Sequence, residues 1–405
     1  MRVTPLKIKN ERESQELMSS LGVSPEGIRI LSPKSIYAAF KIEGIKSWEA
    51  NIIKQHLLSL GSDAALARGA LVKSIKTSVF IFGSLSQLRK LSGKLQVQPF
   101  SLKEIAKDIT SYLDNLDKKK FIFRAGNKVL RINAPIVCGI INVTEDSFTG
   151  DGLIKLSRGS ASKIKELALK KAEQMIKKGA KIIDLGGESS RPYSKSMDAK
   201  YEIKKVIPVL KALRKQFKKI LISIDTYKYP VAKSAVNEGV DIINDITALR
   251  NNPQTAALIK RYKLGCILMH MRGNPQTMQI NPHYKDVTEE IIDFFKERLS
   301  FCSQRGISKE QVLIDPGIGF GKRLEDNIKI INELYKFKVL GQPIFLGLSR
   351  KSFIGKILKA VPGKCLIGTI AASMISLDRG ANILRVHDVG ETVQAIRIAS
   401  KITNN

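Results

Sequence analysis

Cysteine and histidine are scarce in this 405-residue chain, with four of each. The cysteines, Cys138, Cys266, Cys302 and Cys365, lie far apart and form no C-x-x-C pair. That argues against a disulfide framework and against a structural zinc site. Free thiols in a reducing cytoplasm are the expectation. Long hydrophobic runs are missing too. None approaches the roughly 18 residues that a membrane helix needs, and the N-terminal "MRVTPLKIKNERESQ" lacks the apolar stretch of a signal peptide. No membrane partner is expected. Acidic residues are few, 37 against 68 Lys and Arg, for a formal net charge of +31. Such an excess invites a nucleic-acid reading. The lysines, however, fall in segments such as "KIKELALKKAEQMIKK" and "EIKKVIPVLKALRKQFKK", where apolar residues recur at helical spacing. These are solvated helix faces. No nucleic-acid-binding motif accompanies them, so no nucleic-acid partner is expected, while anionic small molecules suit the same charge.

What is present is ample core material: 43% of residues are hydrophobic and 26% charged, an ordinary globular balance. Residues 1–117 read as a small α+β domain. "IRILSPKSIYAAFKI" suggests strands, "SWEANIIKQHLLSLG" a helix ending at Gly61, "TSVFIFGS" a strand and "LSQLRKLSGKL" a helix. "SLKEIAKDITSYLDNL" opens with Ser101 and has Glu104 three residues on, the spacing of a capping box. Trp48 and His56 share a helix with Ile52, Ile53, Leu57 and Leu60, which marks them as core or interface. The motifs assign this domain no chemistry.

A regular alternation occupies 121–405. "FIFRAGNKVLRI" predicts a hairpin turning at Gly126-Asn127. Eight short apolar runs follow, "IVCGIIN", "KIIDLGGE", "ILISIDT", "DIINDI", "CILMHM", "VLIDPG", "IFLGLSRK" and "ILRVHD", with amphipathic Lys-rich segments between them. Apolar strands alternating with helices predict a parallel sheet. Eight such units predict a TIM (β/α)8 barrel, preceded here by the α+β domain. An open doubly wound sheet competes but usually has fewer strands. Every run ends in polar or Gly-rich residues: Asn142, Asp184 to Glu188, Asp225-Thr226, Asn244-Asp245, His270, Asp315, Ser349-Arg350-Lys351, and Arg385 to Asp388. In a barrel these ends meet on one face, where barrel enzymes carry out their chemistry.

Two subsets of these residues suggest ligands. Asp225, Asn244, Asp315 and Lys351 combine carboxylates, an amide and an ammonium, a set that matches the amino-pyrimidinone edge of a planar heterocycle. Asn142, Arg191, Arg385 and His387 suit a phosphate or diphosphate, with helix N-termini nearby as further donors. "DPGIGFGK" (315–322) fits neither G-x-G-x-x-G nor the P-loop pattern. It reads as a tight turn that brings backbone close to a flat ligand, with Phe320 offering a ring face.

"GIINVTEDSF", "GGESSRP", "INDI", "DPGIGFGK", "GLSRKSFIG" and "RVHDVGET", in this order, resemble dihydropteroate synthases, and the resemblance spans about 121–403. It implies condensation of 6-hydroxymethyl-7,8-dihydropterin diphosphate with p-aminobenzoate to give 7,8-dihydropteroate and pyrophosphate. It implies pterin binding by Asp225, Asn244, Asp315, Lys351 and Arg385. Diphosphate binding falls to Asn142, Arg385 and His387, with Asn142 near a Mg²⁺ ion. Ser190, Arg191, Pro192, Phe320, Lys351 and Ser352 lie on the p-aminobenzoate side. Asp225, Asp315, Lys351, Arg385 and His387 are then the catalytic set, loops 143–152 and 190–192 are mobile, and the protein is a cytoplasmic homodimer. The chain departs from the family pattern at Glu145 (usually Pro), at Gly150-Asp151-Gly152, at Tyr193 (commonly Gly) and in "DTYKYP". A related barrel, the pterin-dependent methyltransferase, shares the three acceptor residues but is not expected to have the Ser-Arg-Lys-Ser and Arg-Val-His-Asp set.

Overall fold

The computed structural model describes residues 1–70, 75–116, 118–144, 152–156, 160–188, 197–360 and 365–403. The chain divides into two compact units, Met1–Lys118 and Lys119–Asn405.

The first unit runs α1 (Glu11–Ser20), α2 (Pro25–Leu31), β1 (Tyr37–Lys46), α3 (Ser47–Ser59), β2 (Asp63–Leu66), β3 (Lys76–Ser84), α4 (Leu85–Gln96) and α5 (Leu102–Asn115). The central β3 pairs antiparallel with β1 and with β2. Helices cover the sheet through Ile53 and Leu57 of α3, Leu88, Leu91 and Leu95 of α4, and Leu102, Ala106, Ile109 and Leu113 of α5, all buried. The three- and four-residue spacing of these positions is the amphipathic pattern of each helix. Two sequence expectations fail here. Residues 28–31 are helical, because Ser24 caps α2 by accepting from Gly27 N at 3.1 Å and Pro25 takes the first helical position. Ser101 makes no capping box. Its hydroxyl instead donates to Glu49 Oε1 at 2.6 Å, and its N–H donates to the same oxygen at 3.2 Å. A buried carboxylate in need of donors outcompeted the local cap.

The second unit begins with the predicted hairpin, β4 (Phe121–Ala125) and β5 (Lys128–Ile132). It continues β6 (Ile136–Asn142), α6 (Leu153–Leu156), α7 (Ala161–Lys177), β7 (Ile182–Gly186), α8 (Ala199–Gln216), β8 (Leu221–Asp225), α9 (Tyr229–Asn237), β9 (Ile242–Asp245), α10 (Thr255–Tyr262), β10 (Gly265–Met269), α11 (Val287–Gln304), β11 (Val312–Asp315), α12 (Leu324–Asn332), β12 (Phe345–Gly347), α13 (Ser352–Leu358), α14 (Leu366–Asp378), β13 (Ile383–Val386) and α15 (Val389–Ile402). All eight expected strands form, in the order β11-β10-β9-β8-β7-β6-β13-β12. Every registered pair among them is parallel. A parallel bridge between Ile314 and Ile344 joins β11 to β12 and closes the ring. This is a (β/α)8 barrel.

The barrel interior is layered. At the end where the strands begin, Cys138, Ile182, Leu221, Ile242, Ile267, Leu313, Phe345 and Ile383 pack with Phe123, Ala125 and Ile132 of the hairpin. The hairpin is therefore an apolar plug. Two residues further along each strand, side chains point inward again, and there the interior turns polar: Asp184, Ser223, Asn244, Asp315 and Arg385.

Candidate active site

The strand ends register side by side. Asn142 lies opposite Gly186, Gly186 opposite Asp225, and Asp225 opposite Asn244. Gly186 leaves a gap in this row; a Cβ there would sit 3.7 Å from both Asn142 Oδ1 and Asp225 Cβ. On the other side of β6, Arg385 reaches back over the interior. Its Nε donates to Asp184 Oδ2 at 2.6 Å and its Nη2 to Asp225 Oδ2 at 2.7 Å. Asn244 Nδ2 donates to the same Asp184 oxygen at 3.3 Å. Asp184 is fully buried, and among the described residues its Oδ1 has no hydrogen-bond partner.

The charges are tuned by their burial. Burial pushes the Asp225 carboxyl up to about 7, with Arg385 pulling it down and Asp184 pushing it further up. Burial also raises the Asp315 carboxyl, against Lys351 and the Gly317 N–H that donates to its Oδ1 at 2.8 Å. Burial holds the Lys351 ammonium down to about 8, although Asp315 favours its charge. Burial opposes the charge on Arg385 as well, but Asp184 and Asp225 outweigh it and raise the guanidinium above its usual value. Carboxylates and cations thus stabilise one another where water is excluded.

The 315–322 turn sets the other wall. Gly317 adopts φ +71°, and a Cβ there would meet His270 O at 2.0 Å, so only glycine fits. Phe320 ends the turn with its ring 4.6 Å from Lys351 Nζ, which also donates to Ile318 O. Under the turn, buried Lys322 meets His270 Nδ1 at 3.0 Å and donates to Phe320 O at 3.0 Å. Ile246, Met269, Met271 and Met278 form an apolar cluster against which Tyr227 and Phe320 pack. A polar floor beside an apolar wall suits a flat heterocycle.

His387 N donates to Ser349 Oγ at 3.3 Å, and its Nδ1 lies 3.0 Å from the same hydroxyl. Ser349 thus fixes the ring. Arg350 is committed to Asp388 by two bonds, at 3.0 and 2.5 Å. Ser352 is the exposed first residue of α13, next to Lys351. Asn142, Asp225, Asn244, Asp315, Phe320, Lys351, Arg385 and His387 therefore share the face where the strands end. Ser190, Arg191, Pro192, Tyr193, Glu145, Gly150 and Asp151 lie outside the described residues, as does most of the first loop. Sequence reasoning assigned no role to Asp184, Ser349, Lys322 or the Met cluster. It also missed Lys228, which pairs with Glu188 and with buried Glu202, the latter at 2.7 Å. The signal for Asp184 was there: a carboxylate two residues before the end of an otherwise apolar strand points into the interior.

Among the described residues no three His, Cys, Asp or Glu side chains cluster to hold a metal ion. The donor set still fits Mg²⁺, which keeps several waters and commonly takes one or two protein oxygens beside substrate phosphates. Asn142 is placed to supply such an oxygen.

Known proteins align with this geometry. The family described as pterin binding enzyme matches residues 138–387. Dihydropteroate synthase of Haemophilus influenzae is 38% identical over 281 residues, covering 69% of this chain and 98% of that protein. A probable bifunctional folylpolyglutamate synthase/dihydropteroate synthase of Haloferax volcanii is 34% identical over 361 residues, 87% of this chain and 42% of that protein. The barrel unit alone is too short to contain that match, so it runs into the first unit. The crystal structure of Yersinia pestis dihydropteroate synthase in a sulfonamide drug complex shares 36% identity at a TM-score of 0.65, covering 70% of this chain and all of that one. Xanthomonas albilineans dihydropteroate synthase in complex with 7,8-dihydropteroate shares 32% at 0.60, covering 70% and 99%.

Proposed function

The chain belongs to the dihydropteroate synthase family of pterin-binding enzymes, and from that premise we propose how its own residues carry the reaction. It condenses 6-hydroxymethyl-7,8-dihydropterin diphosphate with p-aminobenzoate, giving 7,8-dihydropteroate and pyrophosphate in folate biosynthesis. The observation that carries the residue assignments is the arc of Asp225, Asn244 and Asp315, with Lys351 and Arg385 across it. Asp225, Asn244 and Asp315 accept from the N–H groups of the pterin edge, while Lys351 donates to its carbonyl. Arg385 covers the ring and, with Asn142 and His387, meets the diphosphate. Phe320, Lys351 and Ser352, with Ser190, Arg191 and Pro192, form the acceptor side.

In the reaction the arylamine nitrogen bonds to the pterin methylene carbon. The carbon–oxygen bond breaks, the diphosphate leaves with the electron pair, and the nitrogen sheds a proton. The arylamine is already neutral at pH 7, so no strong base is needed. Positive charge builds on the pterin as the bond breaks, and the carboxylates of Asp315 and Asp225 stabilise it. Arg385 and His387 stabilise the departing anion. Asn142 would hold Mg²⁺, whose chemistry there would be charge neutralisation of the leaving group. Four buried free thiols support a cytoplasmic location. Asp315→Asn keeps the shape but removes the charge, and pyrophosphate release should fall by at least about 10²-fold. Turnover equal to wild type would remove Asp315 from this role.

We also propose a homodimer through the last helices. In α14 the small hydroxyl residues Thr369, Ser373 and Ser376 face inward and are buried, whereas Ile367 is 83% and Ile375 48% exposed. On α15, which packs beside it, Ile398 and Ile402 are exposed as well. Exposed isoleucines on two adjacent helices call for a covering partner.

A further inference from the structure

We propose that Asp184 is the positioning residue of the pterin pocket, holding Asn244 and Arg385 in the geometry that receives the ligand. The proposal rests on the pocket assignment above and deepens it. In the barrel order, β7 lies midway between β9 and β13, two strands from each. From that midpoint one oxygen, Asp184 Oδ2, accepts from Asn244 on one side at 3.3 Å and from Arg385 on the other at 2.6 Å. No other described side chain is bonded to both. Asp184 sits one layer below the rim, with Ile140 and Ser223 as its strand neighbours, and is fully buried. Its Oδ2 is already engaged by Asn244 and Arg385, so it acts through the residues it grips.

Two consequences follow. With one amide hydrogen committed to Asp184, the Asn244 side chain is fixed in rotation, and its Oδ1 and second N–H are left for a ligand. With Nε anchored on Asp184, the guanidinium plane of Arg385 is set, and Nη2 is delivered to Asp225. Long side chains that cross an interior lose much rotameric freedom when they are used. A single buried carboxylate removes that cost for both before the ligand arrives, which is the meaning of preorganisation. The Asp184 carboxylate also acts on Asp225, raising it.

The test compares wild type with Asp184→Asn, using 6-hydroxymethylpterin as the binding probe alongside turnover. Asp184→Asn should weaken probe binding at least about tenfold, as expected for losing a charged hydrogen-bond acceptor to two partners, with little change in the KM for p-aminobenzoate. It should also move the acid limb of the kcat/KM profile to lower pH, because a negative charge that holds Asp225 up has gone; a purely structural role would leave that limb in place. If Asp184→Asn does not fold, Asp184→Glu reads the same geometry: it keeps the charge, displaces the carboxylate by one methylene, and should still weaken the probe. Unchanged probe affinity and an unmoved acid limb would overturn the proposal. A wild type that binds the probe yet releases no pyrophosphate would count against the assigned reaction, not against Asp184.

Discussion

Asp225, pushed up to about 7, and Lys351, held down to about 8, straddle neutral pH in one pocket. The proposed roles need Asp225 ionised and Lys351 protonated. Asp225 gains its charge as pH rises through about 7, and Lys351 loses its own as pH rises through about 8. The kcat/KM profile should therefore be a narrow bell between those values, its limbs belonging to the coupled pocket. Asp225→Asn should flatten the acid limb, and Lys351→Arg should carry the alkaline limb upward. A profile flat from pH 6 to 9 would refute this. Much of the pocket was readable from residue identity at strand ends, because a carboxylate that closes a short, largely apolar strand has few other uses. Asp184 was counted among the polar strand ends but given no task, because its meaning depends on donors 60 and 201 residues away. Ser349 was counted there too, but its hold on His387 shows only in the fold.

The turn after β11 couples shape to chemistry within eight residues. Its Gly317 has no room for a methyl group and also supplies the N–H that bonds Asp315. Gly317→Ala should cost roughly 1–3 kcal/mol or more from strain at positive φ and lower kcat/KM as well, read by denaturant unfolding and turnover in parallel. Normal stability with normal activity would show that the turn relaxes freely. The eight barrel strands were legible because strands buried on both faces are short, apolar and β-branched. The first unit was less so. Its α2 carries Ile28, Ile30 and Leu31, a strand-like run, and only the Ser24-Pro25 start betrays a helix. Glu49 took the Ser101 hydroxyl from across 52 residues, which no local spacing can announce.

The residues assigned to chemistry, Asn142 to His387, all belong to the second unit. A chain beginning at Lys119 should fold, by circular dichroism, and keep the kcat and KM of the full protein. A folded but inactive barrel would show that the first unit contributes to the site. Sedimentation of the full chain should give twice 44.9 kDa, and Ile367→Lys should shift it toward the monomer; a wild type that is monomeric at micromolar concentration would end the dimer proposal. The (β/α)8 architecture was legible from the count of apolar runs, whereas the burial of Thr369, Ser373 and Ser376 on α14 was not, since "CLIGTIAASMISLD" gives no hint of which side turns in. The hairpin plug has a consequence for synthesis. Phe123 leaves the ribosome roughly 260 residues before Ile383, which helps to cover it, and at about 5–20 residues per second that is a wait on the order of 10–50 seconds. The first unit can fold during that interval, but the barrel cannot close, because β6 also waits for β13 as its neighbour. A ribosome stalled upstream of Ile383 would hold out a chain with an open strand edge and an incompletely covered phenyl ring, a form that depends on a chaperone.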